Sequence, residues 1–126
     1  MKKTTVVLAQ GEGYVSDETL RKLVEKSNST GYLAELGMPK LIPGASPQEV
    51  MDQYNRINHQ RVCAKITNIR RSEDGMSVVG DVEPYGPMEK VVKKSLQSGG
   101  ENLGFSIRSI QKNMKKEIVT YDLTKF

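Results

Sequence analysis

Leu103-Gly104-Phe105-Ser106-Ile107-Arg108 reads as a β-strand whose two faces differ in kind. Leu103, Phe105 and Ile107 alternate on one face, as side chains of a core do; Gly104, Ser106 and Arg108 fall on the other, where no large apolar group stands. Just upstream, Gly99-Gly100 ends a helix that Gly86-Pro87 opens, with Met88, Val91, Val92 and Leu96 along one side. Just downstream, Lys112 to Lys116 forms a basic turn into a last strand, Glu117 to Leu123. Farther back, Arg61 to Arg70 and Met76 to Val82 alternate on either side of Glu73-Asp74-Gly75 and predict a hairpin. Ser46-Pro47-Gln48-Glu49 is a capping box with proline at the first helical position, and Val50, Met51 and Tyr54 give that short helix its apolar side. Gly37 to Pro47, rich in proline and glycine, is a loop.

Near the start, Thr4 to Ala9 is β-branched and apolar and predicts a strand. Gly11-Glu12-Gly13 turns the chain, and Ser16 caps a helix with Asp17 and Glu18 in its first turn and Leu20, Leu23 and Val24 on one face, ending near Ser27. Tyr32 to Leu36 is a short strand. The pattern has no internal repeat and no linker. It predicts a single α+β domain over residues 1–126, a mostly antiparallel sheet or partly closed barrel with about three flanking helices.

Composition narrows the function classes. Hydrophobic residues are 37% and charged residues 27% of 126, which suits one folded domain. No apolar run approaches the roughly 20 residues of a spanning helix, and the stretch after Met1-Lys2-Lys3 is too short for a signal-peptide core, so a cytoplasmic protein without membrane association is expected. Cys63 is the only cysteine and His59 the only histidine. A disulfide scaffold, structural zinc and a multi-histidine metal centre are therefore excluded, and no cofactor or metal is expected. The net charge of +4 is spread among acids, and no tryptophan accompanies the five tyrosines and two phenylalanines. That falls short of a nucleic-acid footprint. Gly11-Glu12-Gly13 lacks the third glycine of a dinucleotide loop and the Gly-Lys-Ser/Thr of a phosphate loop.

Three side chains remain as chemical candidates. Cys63, between Val62 and Ala64, reads as a small buried hydrophobe. Ser106 lies between Gly104, where a substrate backbone would approach closely, and Arg108, which would hold an anion or an acidic partner. A serine hydroxyl needs a base to become a nucleophile. His59, beside Asn58 and Gln60, is either that base or a solvated loop residue.

Five segments in order resemble the prohead (head-maturation) serine proteases of tailed phages, relatives of the herpesvirus assemblins. They are Val7-Leu8-Ala9-Gln10 through Asp17-Glu18-Thr19-Leu20; Ala34-Glu35-Leu36-Gly37-Met38-Pro39; Ile57-Asn58 with Arg61-Val62-Cys63-Ala64-Lys65-Ile66; Val79-Gly80 through Gly86-Pro87 to Leu103-Gly104-Phe105-Ser106-Ile107-Arg108; and Tyr121-Asp122-Leu123-Thr124-Lys125-Phe126. The resemblance spans nearly the whole chain and implies an assemblin-like fold, with Ser106 as nucleophile and Gly104 and Arg108 in the substrate and oxyanion region. It also implies scaffold and major capsid proteins as partners, a homo-oligomer, and action in the host cytoplasm within the procapsid. The departures fall on the machinery. Met38 stands where the family has its catalytic histidine, Ala64 replaces a second one, and the family pattern continues past Phe126. Two expectations follow: a serine endopeptidase in which His59 serves as base, or a non-catalytic structural or regulatory relative.

Overall fold

A computed structural model describes residues 3–10, 16–37, 42–99, 103–112 and 115–126. In chain order the elements are β1 (Thr4–Gln10), α1 (Asp17–Ser29), β2 (Tyr32–Leu36), α2 (Pro47–Tyr54), a 3-10 turn at His59–Arg61, β3 (Val62–Arg71), β4 (Ser77–Pro84), α3 (Glu89–Gln97), β5 (Gly104–Lys112) and β6 (Lys115–Lys125). The predicted Gly11–Gly13 turn, Met38 and Pro39 lie outside the described residues, as does the centre of the predicted basic turn.

The six strands form one sheet in the order β1-β4-β3-β2-β6-β5. All neighbours are antiparallel except β2 and β6, which run parallel and pair only at Glu35–Asp122 and Leu36–Leu123. The two outer strands, β1 and β5, contact each other without joining the ladder, so the sheet curls into a half-barrel. This is the expected α+β architecture, with three helices among the described residues around a partly closed barrel.

The concave side holds the core. Tyr32, Ala34, Ile66, Val78, Val82, Tyr121 and Leu123 are buried there with Leu23 of α1 and Val92 of α3. Tyr32 and Tyr121 meet edge to face, with ring centroids 5.9 Å apart. Cys63 is fully buried, and its thiol donates weakly to the Ala34 carbonyl. Burial pushes that thiol up to about 12, as befits a packing residue.

Local chemistry explains the element boundaries. Ser16 and Ser46 cap α1 and α2 through their side chains, and Glu49 completes the predicted capping box. A bulge at Asn68 (φ 51°) interrupts the pairing of β3 with β4. It frees the Ile69 N–H, which then donates to Ser27 Oγ of α1 at 3.0 Å, so the bulge becomes the point where helix and sheet are tied. Helix α3 begins at Glu89 rather than at Gly86-Pro87. The Tyr85 and Met88 N–H groups are bonded to the Cys63 and Val62 carbonyls, which keeps that segment against β3 instead of in a helix.

Candidate functional site

The convex face of β2, β6 and β5 carries the polar residues that the alternation leaves off the core. Glu35 pairs with Asp122 across β2 and β6, and Asp122 in turn stands opposite Ser106 across β6 and β5. Directly opposed residues project to the same side, so Glu35, Asp122, Ser106 and the neighbouring even positions, Arg108 and Thr124, share one face. The segment from α2 to the 3-10 turn lies over the Arg108 end of it.

Arg108 is only 4% exposed. Its Nη2 donates to both buried carboxylates, to Asp122 Oδ1 at 2.9 Å and to Glu35 Oε2. Nη1 donates to the Arg56 and Tyr54 carbonyls at 3.3 and 3.5 Å, so the same guanidinium holds the end of α2 to the sheet. Its Nε is buried without a hydrogen-bond partner among the described residues. Two buried carboxylates sharing one cation cannot both ionise cheaply. Burial pushes the Asp122 carboxyl up to about 6 against the pull of Arg108, with the Glu35 charge acting in the same upward direction.

Beside this unit is a cavity of about 510 Å3 lined by Glu35, Gln53, Arg56, Ile57, Asn58, Arg61 and Arg108. Arg61 donates from Nε to the Leu36 carbonyl at 3.0 Å, and from Nη2 to the same oxygen. The Gly37 N–H reaches the Leu123 carbonyl at 2.8 Å. Together these bonds hold the corner where β2 and β6 meet.

Ser106 is exposed, and its Oγ lies 3.1 Å from Thr124 Oγ1. Thr124 Oγ1 also bonds the Gly104 carbonyl at 3.3 Å. A carbonyl only accepts, so the single Thr124 proton goes there, and the Ser106 hydroxyl must be the donor between the two side chains. Ser106 thus keeps its own lone pairs toward solvent. Gly104 has a structural reason to lack a side chain, because a Cβ there would come within 2.9 Å of Lys125 Cβ.

Ser106, Gly104 and Arg108 share the convex face of β5, as their alternation predicts. Arg108, however, is engaged by Glu35 and Asp122 of its own chain. His59 is exposed at the start of the 3-10 turn, and among the described residues no hydrogen bond joins it to Ser106. Ala64 is buried in β3, paired with Ala34. Met38 lies outside the described residues. Glu35 and Thr124 are members of the site that motif reading passes over. Their signals are slight: a lone acid in the otherwise apolar Tyr32–Leu36, and a hydroxyl two residues after Asp122 on the same face. Among the described residues no group of three or more His, Cys, Asp or Glu side chains could hold a metal, and no helix is long and apolar enough to cross a membrane.

A half-barrel that carries an exposed serine on the strand predicted to bear a nucleophile has the features of a serine-peptidase-like protein. The chain belongs to the Peptidase S80 family, which it matches over residues 11–125. That span is nearly the whole chain and agrees with the prohead-protease resemblance. No curated protein and no solved structure is similar enough to count as a match.

Proposed function

We propose that this protein acts in the assembly of a tailed-phage head, as a serine endopeptidase that cuts scaffold and capsid proteins with Ser106 as nucleophile. The observation that carries this reading is the Ser106 hydroxyl. It is exposed on the convex face, its proton is directed to Thr124, and it occupies the position matching the family's nucleophile strand. Attack on a peptide carbonyl requires such an accessible oxygen on a rigid support, and the β5–β6 ladder supplies the support. Backbone N–H groups beside the nucleophile would stabilise the oxyanion, and the protein would work as a homo-oligomer inside the procapsid. Co-expression with the cognate scaffold and capsid proteins tests this. The wild-type chain is expected to shorten the scaffold, and Ser106→Ala to leave it whole. Equal cleavage by both would remove Ser106 from the role.

A second reading is favoured by the residues that replace the family histidines, Met38 and Ala64. In it the chain is a non-catalytic relative that keeps the fold and packs in the head or beside an active peptidase. It predicts uncut scaffold with either variant, and a chain that still enters assembled heads.

A further inference from the structure

We infer that Asp122 takes the proton from Ser106, so that the site runs on a serine–carboxylate pair in place of serine and imidazole. The inference rests on the assignment of Ser106 as nucleophile and names its missing partner. Asp122 is the residue directly opposite Ser106 across the β5–β6 ladder, and its side chain projects to the same face. Opposed residues of an antiparallel pair have Cβ atoms roughly 4.5–5.5 Å apart, within reach of a hydroxyl and a carboxylate after rotation about single bonds. Thr124 and Asp122 lie two residues apart on that face, so they flank the serine. A turn of the Ser106 side chain by about 120°, from one staggered rotamer to another, would carry the hydroxyl away from Thr124 and toward Asp122.

The surroundings suit Asp122 for the task. It is 1% exposed, stands directly opposite the exposed Ser106, and is held by Arg108, two residues farther along the same strand as the serine. The charged and titratable groups around it are Glu35 from β2, Arg108 from β5 and Cys63 from β3, with Arg61 and Arg56 at the rim of the cavity. Burial together with Glu35 raises its affinity for a proton into the range where an imidazole works. It is thus ionised at neutral pH and still basic enough to accept. Arg108 fixes the carboxylate and, through the Tyr54 and Arg56 carbonyls, the segment that covers it. Arg108 is a positioning residue here.

In the step itself, Ser106 Oγ forms a bond to the scissile carbonyl carbon while the O–H bond breaks and the proton passes to Asp122. The carbonyl π pair moves onto oxygen. On collapse, the C–N bond breaks and Asp122 returns the proton to the leaving amine, which gives an acyl-enzyme. Water then repeats the sequence and releases the carboxylic acid with Ser106 restored.

The test is the rate of covalent labelling by a fluorophosphonate, followed by intact mass from pH 4 to pH 9. Wild type is expected to rise through an inflection near pH 6 and then level off. Asp122→Asn, an isostere whose carbonyl still accepts from Arg108, is expected to slow labelling about a hundredfold or more at neutral pH and to lose that inflection. Its residual rate should climb only with hydroxide. An Asp122→Asn chain that keeps both inflection and rate would overturn the inference and leave Ser106 in place. A folded wild type that stays unlabelled at every pH would overturn the nucleophile assignment and this inference with it. Because Asp122→Asn disturbs a buried ion pair, a second measurement uses wild type alone: carbon NMR of the aspartate carboxyls. An Asp122 midpoint that coincides with the kinetic inflection supports the inference, and one in the ordinary range below pH 4 overturns it.

Discussion

Arg108 shows how far a single position can be read from sequence. Alternation along Leu103–Arg108 puts it off the core face, and the structure agrees. Alternation says nothing of what covers that face. Burial arises because the α2 segment folds back over β5 and offers the Tyr54 and Arg56 carbonyls, while β2 and β6 bring up Glu35 and Asp122. Asp122 arrives through the β5–β6 ladder, whereas Glu35, distant in sequence, meets Arg108 only through the β2–β6 parallel pairing. Arg108→Met is expected to destabilise the fold by about 3–5 kcal/mol, since it leaves two carboxylates buried without their cation. Urea unfolding monitored by circular dichroism measures it, and a loss under about 1 kcal/mol would mean that Arg108 is not the ion-pair hub described. Cys63 is the contrasting case. Its apolar neighbours alone announce a packing residue, and its position in the core bears that out.

Elements were more legible than side-chain roles. Ser46-Pro47-Gln48-Glu49 contains its own start chemistry, so α2 begins where the capping box dictates. The hairpin of β3 and β4 follows from alternation around Glu73-Asp74-Gly75. The start of α3 was not legible, because the hydrogen bonds that hold Tyr85 and Met88 to β3 are tertiary. Gly86 is the residue that permits this entry. It has φ +85°, and a Cβ there would come within 2.6 Å of the Val62 carbonyl oxygen. Gly99, after the same helix, has φ +99° with nothing within 4 Å of its ideal Cβ. Gly99→Ala is therefore expected to cost about 1–2 kcal/mol from backbone strain alone. Gly86→Ala adds a backbone clash and should cost at least about 2 kcal/mol more than Gly99→Ala. Thermal unfolding of the two variants side by side checks the difference; equal losses would contradict the close packing of α3 on β3.

For the whole molecule, the α+β class, its helices and an antiparallel sheet or partly closed barrel could be read in advance, whereas strand order could not. Period-2 patterning identifies strands but not their neighbours, and β2 joins β6 through only two paired positions. That junction creates the buried acidic pair, and it gives the fold a signature in pH. The folded Asp122 holds its proton up to about pH 6, whereas the unfolded chain releases it near 3.8. Between those values the native state binds more protons, so the Asp122 contribution to stability falls as pH rises. Asp74 and Asp81 act in the opposite sense. Hydrogen bonding from Ser72 lowers the first; for the second, partial burial is outweighed by hydrogen bonds from Asn68, Thr5 and Arg70. Comparison with Asp122→Asn isolates the Asp122 share. The stability of wild type relative to the variant should decline by on the order of 2–3 kcal/mol from pH 4 to pH 7. A difference that stays flat or grows would refute the raised carboxyl.

If Ser106 is the nucleophile of this Peptidase S80 family member, it takes up a serine-directed covalent probe. Fluorophosphonate labelling at pH 8, read by intact mass on wild type and Ser106→Ala, addresses it most directly. A single adduct is expected on the wild-type chain, mapped by peptide sequencing to Ser106, and none on the variant. A folded wild-type protein that takes up no probe, or an adduct that persists in Ser106→Ala, would contradict it.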